Sequence, residues 1–351
     1  MWTGLHRIAA VAAIACALQS AIALAQVQGK WVKLAPLPQP AEEFTFTSLN
    51  GKIYLFGGNS IPGKPSPGLV QEYDTAADRW TKKKDMPIRA NHMAAAASGD
   101  KVYVFGGQEI VEGGQIPIDK TWEYNPATDS WKALAPMPTA RTAPTAAEFN
   151  GKIYVIGGNS VQAGLKLAPM TNAIPQRSLS VNEVYDPASN KWETRREMPT
   201  ARNHVAVGVV NGKMYVIGGR IGGANLASTF NVGLVEVYDP VANAWGAKRA
   251  SMPVTRTGIG WATYQGKIFV AGGENVDPLM HAVYGHFQVY DPATNAWSEL
   301  PPIAPPRHGT NVAAIGNRIY VIGGHIAGGG DAGEEAGNSN VNSAFEVESL
   351  R

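Results

Sequence analysis

An all-β fold, a six-bladed propeller with four antiparallel strands in each blade, is what this sequence predicts, and three observations carry it. One eight-residue pattern recurs six times: GKIYLFGG at 51–58, DKVYVFGG at 100–107, GKIYVIGG at 151–158, GKMYVIGG at 212–219, GKIFVAGG at 266–273 and NRIYVIGG at 317–324. The closing glycines of successive copies stand 49 to 61 residues apart, the period of a blade of short strands. A second pattern follows the first at a constant place: EYDTAADRW at 72–80, EYNPATDSW at 123–131, VYDPASNKW at 184–192, VYDPVANAW at 237–245 and VYDPATNAW at 289–297.

Each element has its reason. Strand a lies nearest the axis, where blades converge, and it is written in small or apolar residues, as from Met93 to Ala97 and from Val205 to Val210. Phe46 and Trp261 break that rule, and are expected either to fill a gap in an uneven core or to face the channel mouth. The turn to strand b falls at Asn50-Gly51, Asn150-Gly151 and Asn211-Gly212, a dipeptide that accepts the positive φ of a tight hairpin. Strand b is the Ile-Tyr-Val-Ile segment that ends in the glycine pair. Strand c carries a tyrosine and strand d a tryptophan, and the Asp or Asn with proline between them presets the connecting turn. Stacked between neighbouring blades, each such aromatic contributes about 2 kcal/mol or more by burial.

The blades are placed at about residues 44–83, 92–133, 143–194, 204–247, 258–299 and 309–348. Counting tryptophans closes the ring. Trp31 precedes the first blade and has none of its own, whereas the last repeat ends at 345–351 without a tryptophan. Residues 30–34 are therefore predicted to form the outer strand of the sixth blade, so that the chain's first strand latches its last and two free sheet edges disappear.

The first 25 residues carry the three parts of an export signal: a basic start at His6 and Arg7, an apolar run from Ile8 to Leu24, and Ala23-Leu24-Ala25 before Gln26. Cleavage after Ala25 is expected, leaving residues 26–351 as one propeller domain, periplasmic or secreted and with no membrane span. Cys16, the sole cysteine, lies in that leader, so disulfides, cysteine-ligated metals and thiol nucleophiles are excluded from the mature chain. With 30 basic and 28 acidic residues the balance is near neutral, which argues against a nucleic-acid backbone as partner. A monomer without cofactor or resident metal is expected.

The glycine-pair, tyrosine and tryptophan pattern resembles the Kelch repeat over almost the whole mature chain. That resemblance implies the propeller. For activity it spans adaptor modules, a copper oxidase, plant glucosinolate-product specifiers and a bacterial sialate mutarotase. A copper radical oxidase needs a tyrosine crosslinked to cysteine, and the mature chain has no cysteine. The resemblance to the mutarotase implies a glutamate after the glycine pair of one strand b and an arginine six residues later; Glu274 takes the first position, but Met280 and His281 stand at the second. Glu274 with His281 or His325 is the acid–base pair this reading nominates, with His281 the first choice.

Aligned on one another, the six repeats expose the residues that differ. The link from strand d to the next strand a contains Ala41, Ala90, Arg141, Arg202, Arg256 and Arg307, with Arg89 one place off. These arginines either brace the blades against acids near strand c, such as Glu72, Glu123, Glu183 and Glu236, or, as the resemblance to adaptor proteins implies, face the channel mouth and grip an acidic partner. The next two columns are Glu42, Asn91, Thr142, Asn203, Thr257 and His308, then Glu43, His92, Ala143, His204, Gly258 and Gly309. Each glycine pair is followed by a polar residue: Asn59, Gln108, Asn159, Arg220, Glu274 or His325.

In a propeller the b–c and d–a links emerge on one face, and His92, His204, His281, His286, His308 and His325 all fall in those links or at their margins. Long b–c segments at 159–181, 220–233, 274–287 and 325–343, the last with Asp331, Glu334 and Glu335, lie on the same side. The functional face is placed there. The expected activity is that of an exported binding module for a polar or anionic ligand, a sugar acid or an acidic peptide, held by Glu43, Arg89, His92, Arg141, Arg202, His204, Arg220, Arg256, Arg307, His308 and His325. The alternatives are a carbohydrate mutarotase using Glu274 and His281, and a metal-dependent enzyme in which His92, His204, His308 or His325 joins Glu43 or Glu274 around zinc or iron.

Overall fold

The computed structural model describes residues 27–58, 68–112, 114–165, 170, 176–223, 229–277, 280–328 and 337–350. The expected leader, Asn59 and the acidic residues Asp331, Glu334 and Glu335 lie outside the described residues. Those described contain strands and turns without a helix, and none forms a helix long and apolar enough to cross a membrane.

Among them six four-stranded antiparallel sheets are formed. In the first, Thr45–Leu49, Lys52–Phe56, Val70–Asp74 and Arg79–Lys82 follow one another outward as strands a to d. The other inner strands are Ala94–Ser98, Thr145–Phe149, Ala206–Val210, Gly260–Tyr264 and Asn311–Ile315. Each inner strand touches the next, and the last touches the first, which makes the ring closed. The a–b turns take the left-handed backbone that Asn-Gly favours, with φ of 52° and 74° at Asn50 and Gly51.

The sixth sheet is completed from the other end of the chain. Val27–Lys33 pairs antiparallel with Asn342–Leu350, with Trp31 opposite Phe345. This closing strand starts three residues before the segment the tryptophan count indicates, because the last strand is nine residues long and offers partners out to Leu350. Trp31 packs 5.5 Å from the Phe345 ring and 5.2 Å from Phe287, and its Nε1 donates to the Pro301 carbonyl at 2.9 Å.

Two repeated joints hold neighbouring blades together. In the outer joint, every strand-d tryptophan donates Nε1 to a carbonyl of the preceding blade's link; Trp80 to Ala35 and Trp192 to Ala135, both 2.9 Å, are examples. The residue two places before the tryptophan (Asp78, Asp129, Asn190, Asn243 or Asn295) accepts from the strand-c tyrosine hydroxyl at 2.6–2.7 Å. The same oxygen accepts a backbone N–H of the preceding blade's link, as from Ala35 to Asp78 at 2.8 Å. Asp and Asn suit this place twice over, since they accept both bonds and tolerate its φ near 50°.

The inner joint explains the glycine pair. A Cβ on Gly272 would lie 2.3 Å from the Arg307 carbonyl oxygen of the next blade, and on Gly57 it would lie 2.2 Å from that of Ala90. The amide of the second glycine donates to that same carbonyl, as Gly273 does to Arg307 at 3.0 Å. Between blades the core is a series of wedges; Ile156 and Val184 of the third, for example, pack against Val205, Val207 and Val216 of the fourth.

On the face where strands b end, four hairpins continue past the sheets: Gln108–Val111 with Gly114–Pro117, Asn159–Val161 with Gln176–Ser178, Arg220–Ile221 with Phe230–Asn231, and Glu274–Asp277 with Met280–Val283. They link side to side. Ser178 Oγ lies 2.8 Å from the Gly222 carbonyl, and Asn231 Nδ2 donates to the Glu274 carbonyl at 2.9 Å.

Candidate functional site at the axial collar

The column Glu43, His92, Ala143, His204, Gly258 and Gly309 forms a collar around the axis. All six residues have left-handed φ, between 49° and 61°. Backbone bonds run from blade to blade along it: His92 N–H to Glu43 O at 3.1 Å, Ala143 to His92 at 2.8 Å, His204 to Ala143 at 3.2 Å and Gly309 to Gly258 at 2.9 Å. This geometry is natural for glycine and costs about 1 kcal/mol for a residue with a side chain. Glu43, His92 and His204 nonetheless occupy it, and the other three positions have no side chain beyond Cβ. The vacancy is used: a Cβ on Gly309 would lie 2.9 Å from Glu43 Oε1.

The collar forms one end of a central cavity of about 380 Å³ that the inner strands line. Phe46 and Trp261 meet inside it edge to face, 6.0 Å between rings. They therefore do both things proposed for them, filling the uneven interior of the ring and facing the channel.

A second polar layer lies against the collar. Five residues that follow a glycine pair, all those among the described residues, bridge to the residue preceding the collar position of their own blade: Gln108 to Asn91, Asn159 to Thr142, Arg220 to Asn203, Glu274 to Thr257 and His325 to His308. His92 Nε2 is 3.3 Å from Glu43 Oε2, and the His92 and His204 rings are 5.2 Å apart. Arg220 donates through Nε to Asn203 Oδ1 at 3.1 Å and approaches His204 Nε2 at 3.4 Å and Glu274 at 4.0 Å. His308 Nε2 stands 3.6 Å from Glu274 and 3.7 Å from Glu42.

Burial dominates the proton affinities. It pushes His92 down to about 3, with the Arg220 charge acting in the same direction, and holds His204 well below the usual imidazole range for the same two reasons. Both rings are neutral at physiological pH. Burial raises the Glu43 carboxyl, against the pull of His308, and lowers the Arg220 guanidinium against the pull of Glu274.

Glu43, His92, His204, Arg220, Glu274, His308 and His325 are thus brought together, and several other nominated residues are not. Arg141, Arg202, Arg256 and Arg307 do not face the mouth: all four are completely buried inside the blades. Arg141 pairs with Glu183 at 2.7 Å and Arg202 with Glu236 at 2.9 Å. In the fifth blade the partner is neutral, Arg256 NH1 donating to Gln288 Oε1 at 2.7 Å, and Arg307 donates to the carbonyls of Gly323, Pro305 and Val321. Burial lowers both of the latter guanidinium groups to about 10. Their physical role is to cross-link strands a, b and c. Arg89 is exposed and does not line the channel.

The histidines also divide. His281 is exposed on its hairpin strand, opposite Val276 in register, whereas Glu274 is buried against Arg220 and His308. The Glu274–His281 pair is therefore replaced by Glu274–His308 as the acid–imidazole contact. His286 turns outward to Glu299 of strand d at 2.8 Å. Asn91 and Asn203, which accept from the collar histidines at Nδ1 at 2.8 and 2.6 Å, were not nominated. The dipeptide Asn-His, repeated at the same place in the second and fourth blades, was the signal that marked them.

Fold and collar together define an exposed-rim, closed propeller built on glycine-pair joints, and the comparisons with known proteins agree. The chain matches the KLHDC2/KLHL20/DRC7 Kelch-repeats domain over residues 17–158 and 176–324, and the Kelch motif over 140–199 and 306–345. It belongs to the Kelch-repeat family. It is similar to Kelch-like protein terF of Aspergillus terreus, 30% identical over 230 residues that make up 62% of this chain and 47% of that protein. It is likewise similar to alpha-scruin of Limulus polyphemus, 30% identical over 207 residues, 58% of this chain and 21% of that one. The chain spans less than half the length of either relative. Among solved structures, YjhT superposes with a TM-score of 0.70 at 18% identity, covering 89% of this chain and 96% of its own, a likeness of fold.

Proposed function

We propose that this Kelch-repeat propeller is a binding module for a small polar ligand of monosaccharide size, received in the axial channel. Its polar groups meet Glu43, His92 and His204, and its less polar face rests on Trp261 and Phe46. The observation that carries this reading is the collar: six equivalent left-handed positions, three accepting backbone strain to hold long polar side chains while the other three leave them room. Strain of this kind concentrates at functional sites, and a cavity of about 380 Å³ suits a small molecule. Charge favours a neutral ligand over the sugar acid or acidic peptide. With the four blade arginines buried, Arg220 stands within the fields of Glu43 and Glu274, and the neighbouring His92 and His204 are neutral.

The test is calorimetric titration with neutral monosaccharides and their uronic acids, on the wild type, Trp261→Ala and His204→Asn. Neutral sugars are expected to bind with an affinity unchanged between about 50 and 500 mM salt, and either substitution to weaken them about tenfold, or 1.4 kcal/mol. Preference for the uronic acids, lost as salt rises, would reinstate the anionic ligand and reject this proposal. Export is part of the same reading. The closing strand begins at Val27, so a cut after Ala25 leaves all its paired residues in the mature chain. Amino-terminal sequencing should find Gln26 first; recovery of the protein inside the cell with the leader intact would count against it.

A further inference from the structure

We propose that Glu43, His92 and His204 form a binding site for one divalent transition-metal ion, of the class that includes zinc, at the collar end of the channel. One ligand atom from each of the three lies within 4.8 Å of the others. The inference does not depend on which organic ligand enters the channel.

Tautomers carry the argument. Nδ1 of His92 is 2.8 Å from Asn91 Oδ1, and Nδ1 of His204 is 2.6 Å from Asn203 Oδ1. A carboxamide oxygen only accepts, so each imidazole places its proton on Nδ1 and keeps its lone pair at Nε2, where that of His204 meets Arg220 NH2 at 3.4 Å. The amide nitrogen of Gln108, 3.2 Å from the same Nδ1 of His92, is a weaker claim on that edge than the 2.8 Å contact. Backing of a ligating histidine by a second group on its other nitrogen is the usual construction of a metal site. At His92 the bare Nε2 then faces Glu43 Oε2 at 3.3 Å. With the Glu43 carboxyl ionised, two acceptors face each other there, and a cation between them satisfies both.

Three neighbours shape the site. Ala143, Gly258 and Gly309 complete the collar without side chains beyond Cβ, leaving the axial space to the three ligands. Two imidazoles and a carboxylate, with the remaining positions turned to a cavity, are the ligand set of an open zinc site. Arg220 opposes a cation, since NH2 lies 3.4 Å from His204 Nε2. Glu274, 4.0 Å from its NH1, offsets that charge, and loss of Arg220 should tighten the metal.

A second trio, Glu42, His308 and His325, meets the same distance condition but is differently built. His325 has Nδ1 engaged with Ala327, at 2.9 Å from its carbonyl oxygen, while Nε2 is covered by Gly337, where even a Cβ would come within 2.0 Å. No lone pair of His325 is turned to open space.

The experiment is titration of the chelator-treated full chain with Co²⁺ as a visible-absorption probe, followed by displacement with Zn²⁺. One Co²⁺ per chain with the intense bands of a four- or five-coordinate site, displaced by one Zn²⁺, is expected. His92→Asn and His204→Asn should each weaken Co²⁺ at least about tenfold, on the scale seen when metal-site groups are removed. Asparagine is chosen because it tolerates left-handed φ, and thermal unfolding of the metal-free variants confirms that the fold is kept. Arg220→Met should bind more tightly than wild type. The proposal is overturned if no stoichiometric Co²⁺ binding is seen, if the spectrum is that of an octahedral oxygen site, or if binding survives in the His92→Asn, His204→Asn double variant. It is equally overturned if His325→Gln abolishes binding while His92→Asn keeps it.

Discussion

Replacing Arg202 by alanine is expected to destabilise the propeller severely and to leave the channel's ligand binding intact. Both partners of its ion pair are buried, with side-chain exposures of 0% for Arg202 and 2% for Glu236, and they meet at 2.9 Å. The guanidinium also donates to the carbonyls of Gly218 at 2.9 Å and Leu234 at 3.2 Å. Thr200 donates to the other carboxylate oxygen at 2.8 Å. Removing the arginine strands the Glu236 carboxylate in the blade, a cost of about 3–5 kcal/mol. At roughly 2–4 °C per kcal/mol for a domain of this size, the unfolding temperature should fall by about 10 °C. Glu236→Gln in the same background removes the stranded charge, so the double variant should recover part of the loss, with a coupling of about 2 kcal/mol in a double-mutant cycle. Denaturant unfolding followed by tryptophan fluorescence supplies the four free energies. A change below about 1 kcal/mol, accompanied by loss of ligand binding in the folded variant, would show that Arg202 faces the ligand and would refute the buried-brace account.

Trp31→Ala should cost about 3–5 kcal/mol, by loss of packing on Phe287 and Phe345 and of the bond to Pro301; limited proteolysis should then release the first strand, and an unchanged melting temperature would contradict closure by that strand. Stability should fall as pH drops below about 6.5, where unfolded histidine takes a proton that folded His92, held down to about 3, refuses. His204 acts with the same sign, each on the order of 1 kcal/mol per pH unit, while the raised Glu43 carboxyl opposes them; His92→Asn with His204→Asn should flatten the profile, and equal slopes in both proteins would reject the assignment. Gly272→Ala should prevent folding or cost several kcal/mol, because its Cβ meets a carbonyl at 2.3 Å. Gly266→Ala, at φ of 74° with open space around it, should cost only about 1 kcal/mol; similar melting temperatures for the two would show that the inner joint is not the reason for the glycine.

Much of the site was visible in the internal alignment without its roles being so. The collar and bridging columns were both legible, because a repeat places equivalent residues at equivalent heights on the axis. The direction of a long side chain was not. Arg141 and Arg202 turn inward because Glu183 and Glu236, 42 and 34 residues further on, wait on strand c, and Arg256 does so for the neutral Gln288, which itself donates to Glu299. His281 and His286 lie in a b–c link on the same face as the collar, yet one is exposed on its hairpin and the other binds an outer strand.

By itself the sequence determined the strand order, the turn chemistry and the latch at Trp31, since each follows from local pattern or from counting copies. Tertiary structure alone decided which polar residues meet. Glu43, His92 and His204 come from the first, second and fourth blades, 49 and 112 residues apart along the chain, and only ring closure brings their ends together. Their left-handed backbone belongs to the closed collar, where hydrogen bonds from blade to blade link positions filled by glutamate, histidine, alanine and glycine alike.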